Sequence, residues 1–361
     1  MTQLKKIALF TDIHFGRRGN SRVHNQDCLD YIEWFCSNVK NTKGLTHVGF
    51  LGDWFESRSA INIETLEYSY RGMRLLGDLG LPVYFVVGNH DLHRRTTRDI
   101  FSTRIFNEIP GVTVIDKVTV IDDCVFAPYL FDHEYAGMLE HNDKRAWFGH
   151  FEFRNFIITG YNTVMDHGPD HKLFPGPKKI FSGHFHKRQA TDNVCYIGNA
   201  FPMDFGDADD SARGMAVYDV AKDHVEFTDW DECPKFMKAK LKDVIAGEWS
   251  PKPKMRVKCI VDVDIGYTEA QELREALIEA YELRDMVLEE DREAKQGLVE
   301  GDSSKVTEVH DLKFDSIDEL VTSQLEAAVS DPSTKGKYDV QLLLDIYKDL
   351  TIEITDKDAT S

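Results

Sequence analysis

With 361 residues, 42% of them hydrophobic, the chain can fill roughly two packed domains at the usual ~150 residues each. No run approaches the ~18 consecutive apolar residues of a membrane span, and Met1 to Lys6 leads into a short apolar strand without a cleavage-site pattern, so neither membrane nor export is indicated. A net charge of −19 disfavours autonomous nucleic-acid binding, which draws on Lys and Arg displacing counterions, but residues 1–230 hold 25 basic and 31 acidic residues against 18 and 31 in the remainder, so most of the excess lies outside that part.

The first hundred residues alternate short apolar runs with helical spacing, the pattern of βαβ units and a parallel sheet. Strands are predicted at Ile7 to Phe10, Val48 to Leu51 and Val83 to Val87. Between them one helical face carries Leu29, Ile32, Phe35, Cys36 and Val39, and another Ile63, Leu66, Tyr70, Met73 and Leu76. Cys28, Cys36, Cys124, Cys195, Cys233 and Cys259 form no C-x-x-C pair and read as reduced core thiols of a cytosolic protein. From about Val112 to Thr228 many short β-runs predict sheet packed on sheet with helices outside.

Beyond Trp230, the stretch Pro234 to Pro253 reads as a connector. A second unit opens with the alternating strand Val257, Cys259, Val261, Val263, Ile265. A long helix follows, announced by a Thr268-x-x-Gln271 capping box and carried by Leu273, Leu277, Tyr281 and Leu288. Another helix has the box Ser316-x-x-Glu319 and stops before Pro332, and a last one from Asp339 aligns Val340, Leu343, Leu344, Tyr347 and Leu350.

Five motifs stand where strands end: Asp12-Ile13-His14, Gly52-Asp53, Gly88-Asn89-His90-Asp91, Gly149-His150 and Gly183-His184-Phe185-His186. Strand carboxyl ends of open α/β sheets gather into a ligand crevice, so these motifs should meet there. Each alone is commonplace, and together they suit two divalent ions held by oxygen and imidazole donors, with manganese, iron or zinc as candidates. Two ions about 3.5 to 4 Å apart can activate a water against phosphorus. Asp53 is the candidate bridge. If Asn89 serves as a ligand, His90 is free to stabilise the transition state or protonate the leaving oxygen.

These residues, together with Leu92-His93, Tyr196-Ile197-Gly198 and the segment from Asp53 to Arg58, resemble the metallophosphoesterase (calcineurin-like) superfamily. Within it they resemble the SbcD-type DNA repair nucleases, their phage members above all. The likeness is specific over Ile7 to about Tyr218 and general beyond. It implies an α/β/β/α β-sandwich over residues 1–230, a smaller α+β capping and DNA-binding domain over 231–312, and a helical segment, 313–361, for a partner ATPase. It further implies that Asp12, His14, Asp53 and His186 hold one metal and Asp53, Asn89, His150 and His184 the other, with His90 catalytic and oriented by Asp91. Manganese, with magnesium as the alternative, 3′ to 5′ exonuclease action on duplex DNA, endonuclease action on single strands, homodimerisation and an SbcC-type ATPase partner follow from the same resemblance. So does a bacterial cytoplasm, that of a phage-infected host. Cellular relatives often carry a histidine soon after the Gly-Asp motif, where this chain has Trp54, Phe55 and Glu56.

Arg17, Arg58, Arg94 and Lys187 follow individual motifs and are candidates for contacts with a DNA backbone, although such charges are usually only solvated loops. His93 reads as a residue beside the site, and the remaining histidines as surface or core. The other readings are a phosphoesterase acting on phosphoproteins or small nucleotides, and a scaffold that has lost its metals. Phosphoprotein enzymes of this superfamily usually carry Glu where Asp91 stands, and every expected ligand position here is filled.

Overall fold

Strands buried on both faces must be apolar throughout and covered on both sides. Lys6–Phe10, His47–Phe50 and Val83–Val86 come close to that condition, with Lys6, His47 and the half-buried Tyr84 as exceptions, and pair in parallel with Ile7 opposite His47 and Val48 opposite Val83. In the computed structural model, which describes residues 2–290 apart from 159–162, 209 and 211, they form the centre of a six-stranded sheet. Val112–Ile115 closes one edge, and Gly214–Asp219 then His224–Asp229 add antiparallel strands at the other. A second six-stranded sheet runs in the order Gln189–Thr191, Val194–Tyr196, Lys179–Ser182, Ala146–Gly149, Cys124–Ala127, Thr119–Ile121. The two stack through Leu9, Val86, Phe126, Phe148, Phe181 and Tyr218, all fully buried.

Two helices cover the outer face of the first sheet. Arg22–Asn41 is capped by the Ser21 side chain, which accepts from the His24 amide, and buries the predicted stripe from Leu29 to Val39, with Cys28 beside it. Ile63–Gly77 is capped by Asn62 but is rotated from expectation. Thr65, Ser69, Gly72, Met73 and Leu76 face inward, while Ile63, Leu66 and Tyr70 are exposed. Small residues win the inner face because Trp54 approaches there, donating from its indole to Ser69 Oγ at 2.7 Å, with Gly72 beneath its ring. The far face of the second sheet is covered by 3-10 turns, Asp132–His141 and His171–Leu173, and by Phe151 and Phe174 packed on Trp147, with Phe153 against both. All six cysteines are buried free thiols.

A third, parallel sheet joins Phe236–Lys240, Arg256–Val261 and Asp285–Glu290. The expected connector therefore supplies a strand, and a helical turn, Leu241–Ile245, as well; Phe236 and Leu241 are its buried anchors. The long helix is shorter than its spacing suggested. It spans Tyr267–Ala280 after an N-cap at Gly266 that makes no side-chain bond, so the Thr268 box is not used, and Leu288 lies in a strand instead. Glu282, at φ 51°, turns the chain there, and Leu283 and Met286 are buried on the way back. The helices expected after Ser316 and Asp339, and the expected domain boundary at 312, lie outside the described residues. Among the described residues no helix is long and apolar enough to cross a membrane.

Candidate metal centre

Five strands deliver the five motifs to one edge of the paired sheets: Asp12 and His14 follow Lys6–Phe10, Asp53 follows His47–Phe50, and Asn89 and His90 follow Val83–Val86. His150 follows Ala146–Gly149, and His184 and His186 follow Lys179–Ser182. Asp12, His14, Asp53 and His184 have φ of 49°, 52°, 62° and 84°, a left-handed backbone that non-glycine residues seldom adopt and that concentrates at functional sites. Gly183 is required by close approach, since a Cβ there would run into the Thr11 hydroxyl and lie 2.7 Å from an Asp12 carboxylate oxygen.

The side chains converge in two groups that share Asp53. In the first, His14 Nε2 lies 3.2 Å from His186 Nε2 and 3.9 Å from both Asp12 Oδ1 and Asp53 Oδ2, and His186 Nε2 lies 3.8 Å from Asp12 Oδ1. In the second, Asn89 Oδ1 is 2.8 Å from His150 Nε2, 3.0 Å from His184 Nδ1 and 3.2 Å from Asp53 Oδ2, which is itself 3.3 Å from His150 Nε2. Turned over, the Asn89 amide would donate to those three atoms and accept from Arg58. A cation among the acceptors favours the oxygen inward.

Asp12, Asp53 and Asp91 are all buried, at 0%, 2% and 0% exposure. Three carboxylates out of water need compensating charge. Burial works against ionisation of Asp53, yet the neighbouring His150 holds it well below the usual carboxylate range, and Asp53 in turn raises His150, against its own burial, to about 9. Such a field attracts a cation where the acceptor atoms meet. Oxygen and imidazole donors without thiolate fit two divalent ions, and the groups Asp12, His14, His186 and Asp53, His150, His184 each bring three ligand atoms within 4.8 Å.

His90 and Asp91 are arranged differently from the expected pair. The His90 ring donates from Nδ1 to the Glu56 carbonyl at 2.8 Å, and its amide donates to Asp53 Oδ1 at 2.7 Å. Asp91 accepts from the amides of Gly88 at 2.9 Å, Asp53 at 3.1 Å, Trp54 at 3.0 Å and Phe55 at 3.3 Å. The orienting group for His90 is thus a backbone carbonyl, because the Asp91 carboxylate is committed to stapling two metal-site loops. An Asp91→Asn variant keeps the volume but turns an amide N–H₂ toward donors. We expect it to lower stability by roughly 2 to 4 kcal/mol, read as a shift in the denaturant midpoint, and to weaken metal uptake.

Arg17, expected to be a DNA contact, has its charge engaged by Glu56 at 3.4 Å and Asp204 at 3.2 Å. Arg58 lies against the Asn89 amide at 3.0 Å. Arg94 is exposed on the hairpin of Leu92–Arg94 with Thr97–Phe101, and Lys187 is half-buried directly after His186. Sequence reasoning missed Glu152, which lies 2.8 Å from His184 Nε2, and Tyr129, whose ring centroid is 5.7 Å from that of His184. The one available signal for Glu152 was its place two residues after His150. It also treated Glu56 only as a departure, whereas its carboxylate lies 2.9 Å from His14 Nδ1.

Residues 5–188 match the family model for calcineurin-like phosphoesterases. The chain is 30% identical over 230 residues to exonuclease subunit 1 of Enterobacteria phage T4, covering 62% of this chain and 67% of that protein. Among solved structures, a dimetal phosphatase from Danio rerio is 10% identical with a TM-score of 0.37, over 60% of this chain and 92% of that one. A nuclease MPE from Pseudomonas putida is 14% identical with a TM-score of 0.28, over 60% and 85%.

Proposed function

Because this chain belongs to the calcineurin-like phosphoesterase family, whose fold binds two divalent metals, we propose that it is a manganese-dependent DNA nuclease, the SbcD-type subunit of a recombination and repair complex. It would degrade duplex DNA 3′ to 5′ and cut single strands endonucleolytically. The observation that carries this reading is the convergence of two acceptor groups on the shared Asp53 Oδ2. The name of the phage T4 relative supports nucleic acid as substrate and the presence of a partner subunit.

Asp12, His14, Asp53 and His186 would hold one ion, and Asp53, Asn89, His150 and His184 the other. Such a pair would supply an activated water, its pKa lowered toward ~7, and stabilisation of charge on the attacking and leaving oxygens. His90 has Nδ1 fixed as a donor by the Glu56 carbonyl, so it would give a proton to the leaving oxygen from Nε2 of its imidazolium form, in which both nitrogens are protonated. Arg58 would meet a non-bridging phosphate oxygen, with Arg94 and Lys187 farther along the backbone. A cavity of about 440 Å³, lined by Arg95, Tyr129, Phe131, His133 and Glu152 among others, gives room beside the centre for a nucleoside flanking that phosphate.

Residues 1–230 would form the nuclease domain, 231–312 the cap, and 313–361 the segment that engages an SbcC-type ATPase. The exposed Ile63, Leu66 and Tyr70, at helical spacing on one face, support packing against a second copy of the chain. Purified chain with manganese, and separately with magnesium, should degrade linear duplex and single-stranded DNA, with activity abolished by chelator and restored by metal. Robust hydrolysis of a phosphopeptide or a small nucleotide, with no DNA cleaved, would transfer the assignment to the phosphoprotein or small-nucleotide reading.

A further inference from the structure

Two carboxylates outside the ligand groups each address one ligand histidine from behind. Glu56 Oε2 lies 2.9 Å from His14 Nδ1, off the line of an ideal hydrogen bond, while His14 Nε2 faces the first acceptor group. Glu152 Oε2 lies 2.8 Å from His184 Nε2, while His184 Nδ1 faces the second. The two rings therefore present opposite nitrogens to the centre, and in each case the carboxylate stands at the other one.

Each carboxylate is itself held. Arg17 Nη1 lies 3.4 Å from the same Glu56 oxygen, and its Nη2 lies 3.2 Å from Asp204. His167 Nε2 lies 3.3 Å from Glu152 Oε1, and the Glu152 amide donates to the Tyr135 hydroxyl at 2.8 Å. His150 is anchored by a neutral group instead, its Nδ1 being 2.7 Å from the Leu51 carbonyl. A carboxylate behind a ligand imidazole fixes which nitrogen carries the proton, aims the other lone pair and raises its basicity.

Resting on the metal reading above, we infer that Glu56 and Glu152 are positioning residues, one for each half of the centre. Glu56 sets His14 to bind through Nε2, and Glu152 sets His184 to bind through Nδ1. Because they act on different halves, their removal should weaken different ions.

Manganese titration of the full chain by calorimetry, with electron paramagnetic resonance to count bound ions, tests this without measuring turnover. The unsubstituted chain should take up two ions. Glu56→Ala should weaken one binding step by roughly 10- to 100-fold and leave the other, and Glu152→Ala should do the same to one step only. The double variant should weaken both. Glu56→Gln and Glu152→Gln, which keep the shape and one acceptor oxygen, should recover part of the loss at unchanged melting temperature. Two unchanged binding steps in both alanine variants would overturn the inference. So would equal loss of both ions in each single variant together with a lowered melting temperature. A parent chain that binds no manganese would overturn the metal reading itself and this inference with it.

Discussion

His90→Asn is expected to cut DNA cleavage by about 10²- to 10⁴-fold, the usual contribution of a positioned general acid, while leaving two manganese ions bound and the melting temperature nearly unchanged. The separation of chemistry from folding follows from what the ring touches. Its ring makes a hydrogen bond to the Glu56 carbonyl and stands edge-on to His14, 5.0 Å between centroids, and its amide bond to Asp53 Oδ1 belongs to the backbone and survives the substitution. An asparagine side chain can still donate to that carbonyl from the same position, and it has no group that could hand a proton to a leaving oxygen. The check is single-turnover cleavage under saturating manganese, alongside calorimetric ion counting. If loss of activity tracked loss of bound metal, His90 would be acting on the ligands rather than on the leaving group.

Asp53→Asn should be more severe in a different way, removing both ions and all measurable cleavage. Among the described residues, Asp53 Oδ2 is the one atom within 3.3 to 3.9 Å of ring nitrogens from both groups, and Oδ1 is already occupied by the His90 amide. An amide in its place carries no charge, which leaves Asp12 as the carboxylate among the proposed ligands. Asparagine tolerates the left-handed backbone at φ 62° better than other uncharged residues, so the fold should persist. Bound manganese should fall from two ions to none at concentrations that saturate the parent chain. Retention of one tight ion would show that the two halves are built independently.

Much of the frame was legible because its signals are local. The strand runs of the first sheet could be read directly, since a strand covered on both faces is apolar at every position. The rotation of the helix Ile63–Gly77 was not, because hydrophobicity favours Ile63, Leu66 and Tyr70, whereas the partner surface, an intruding Trp54, selects Ser69 and Gly72. Leu288 fitted a helical spacing and sits in a strand for a related reason: a period over few residues does not register a turn such as that at Glu282.

In the site, residue types and strand ends indicated which side chains would converge. They could not indicate what each converging group does for its neighbours. Asp91, adjacent in sequence to His90, bonds to loop amides and not to that ring. Glu56 and Glu152 carry no motif of their own and acquire meaning only from distances of 2.9 and 2.8 Å.

The left-handed turns at positions 12, 14, 53 and 184 restrict how this centre can drift or be redesigned. Aspartate, asparagine and histidine are the polar residues that best endure that conformation, and they are also the short donors that suit a divalent ion. Lengthening a ligand, Asp12→Glu or Asp53→Glu, is therefore opposed twice, by main-chain sterics and by the overshoot of the carboxylate. Substitutions that retune metal choice should accumulate instead in the ring of groups behind the ligands, where the main chain imposes no such filter.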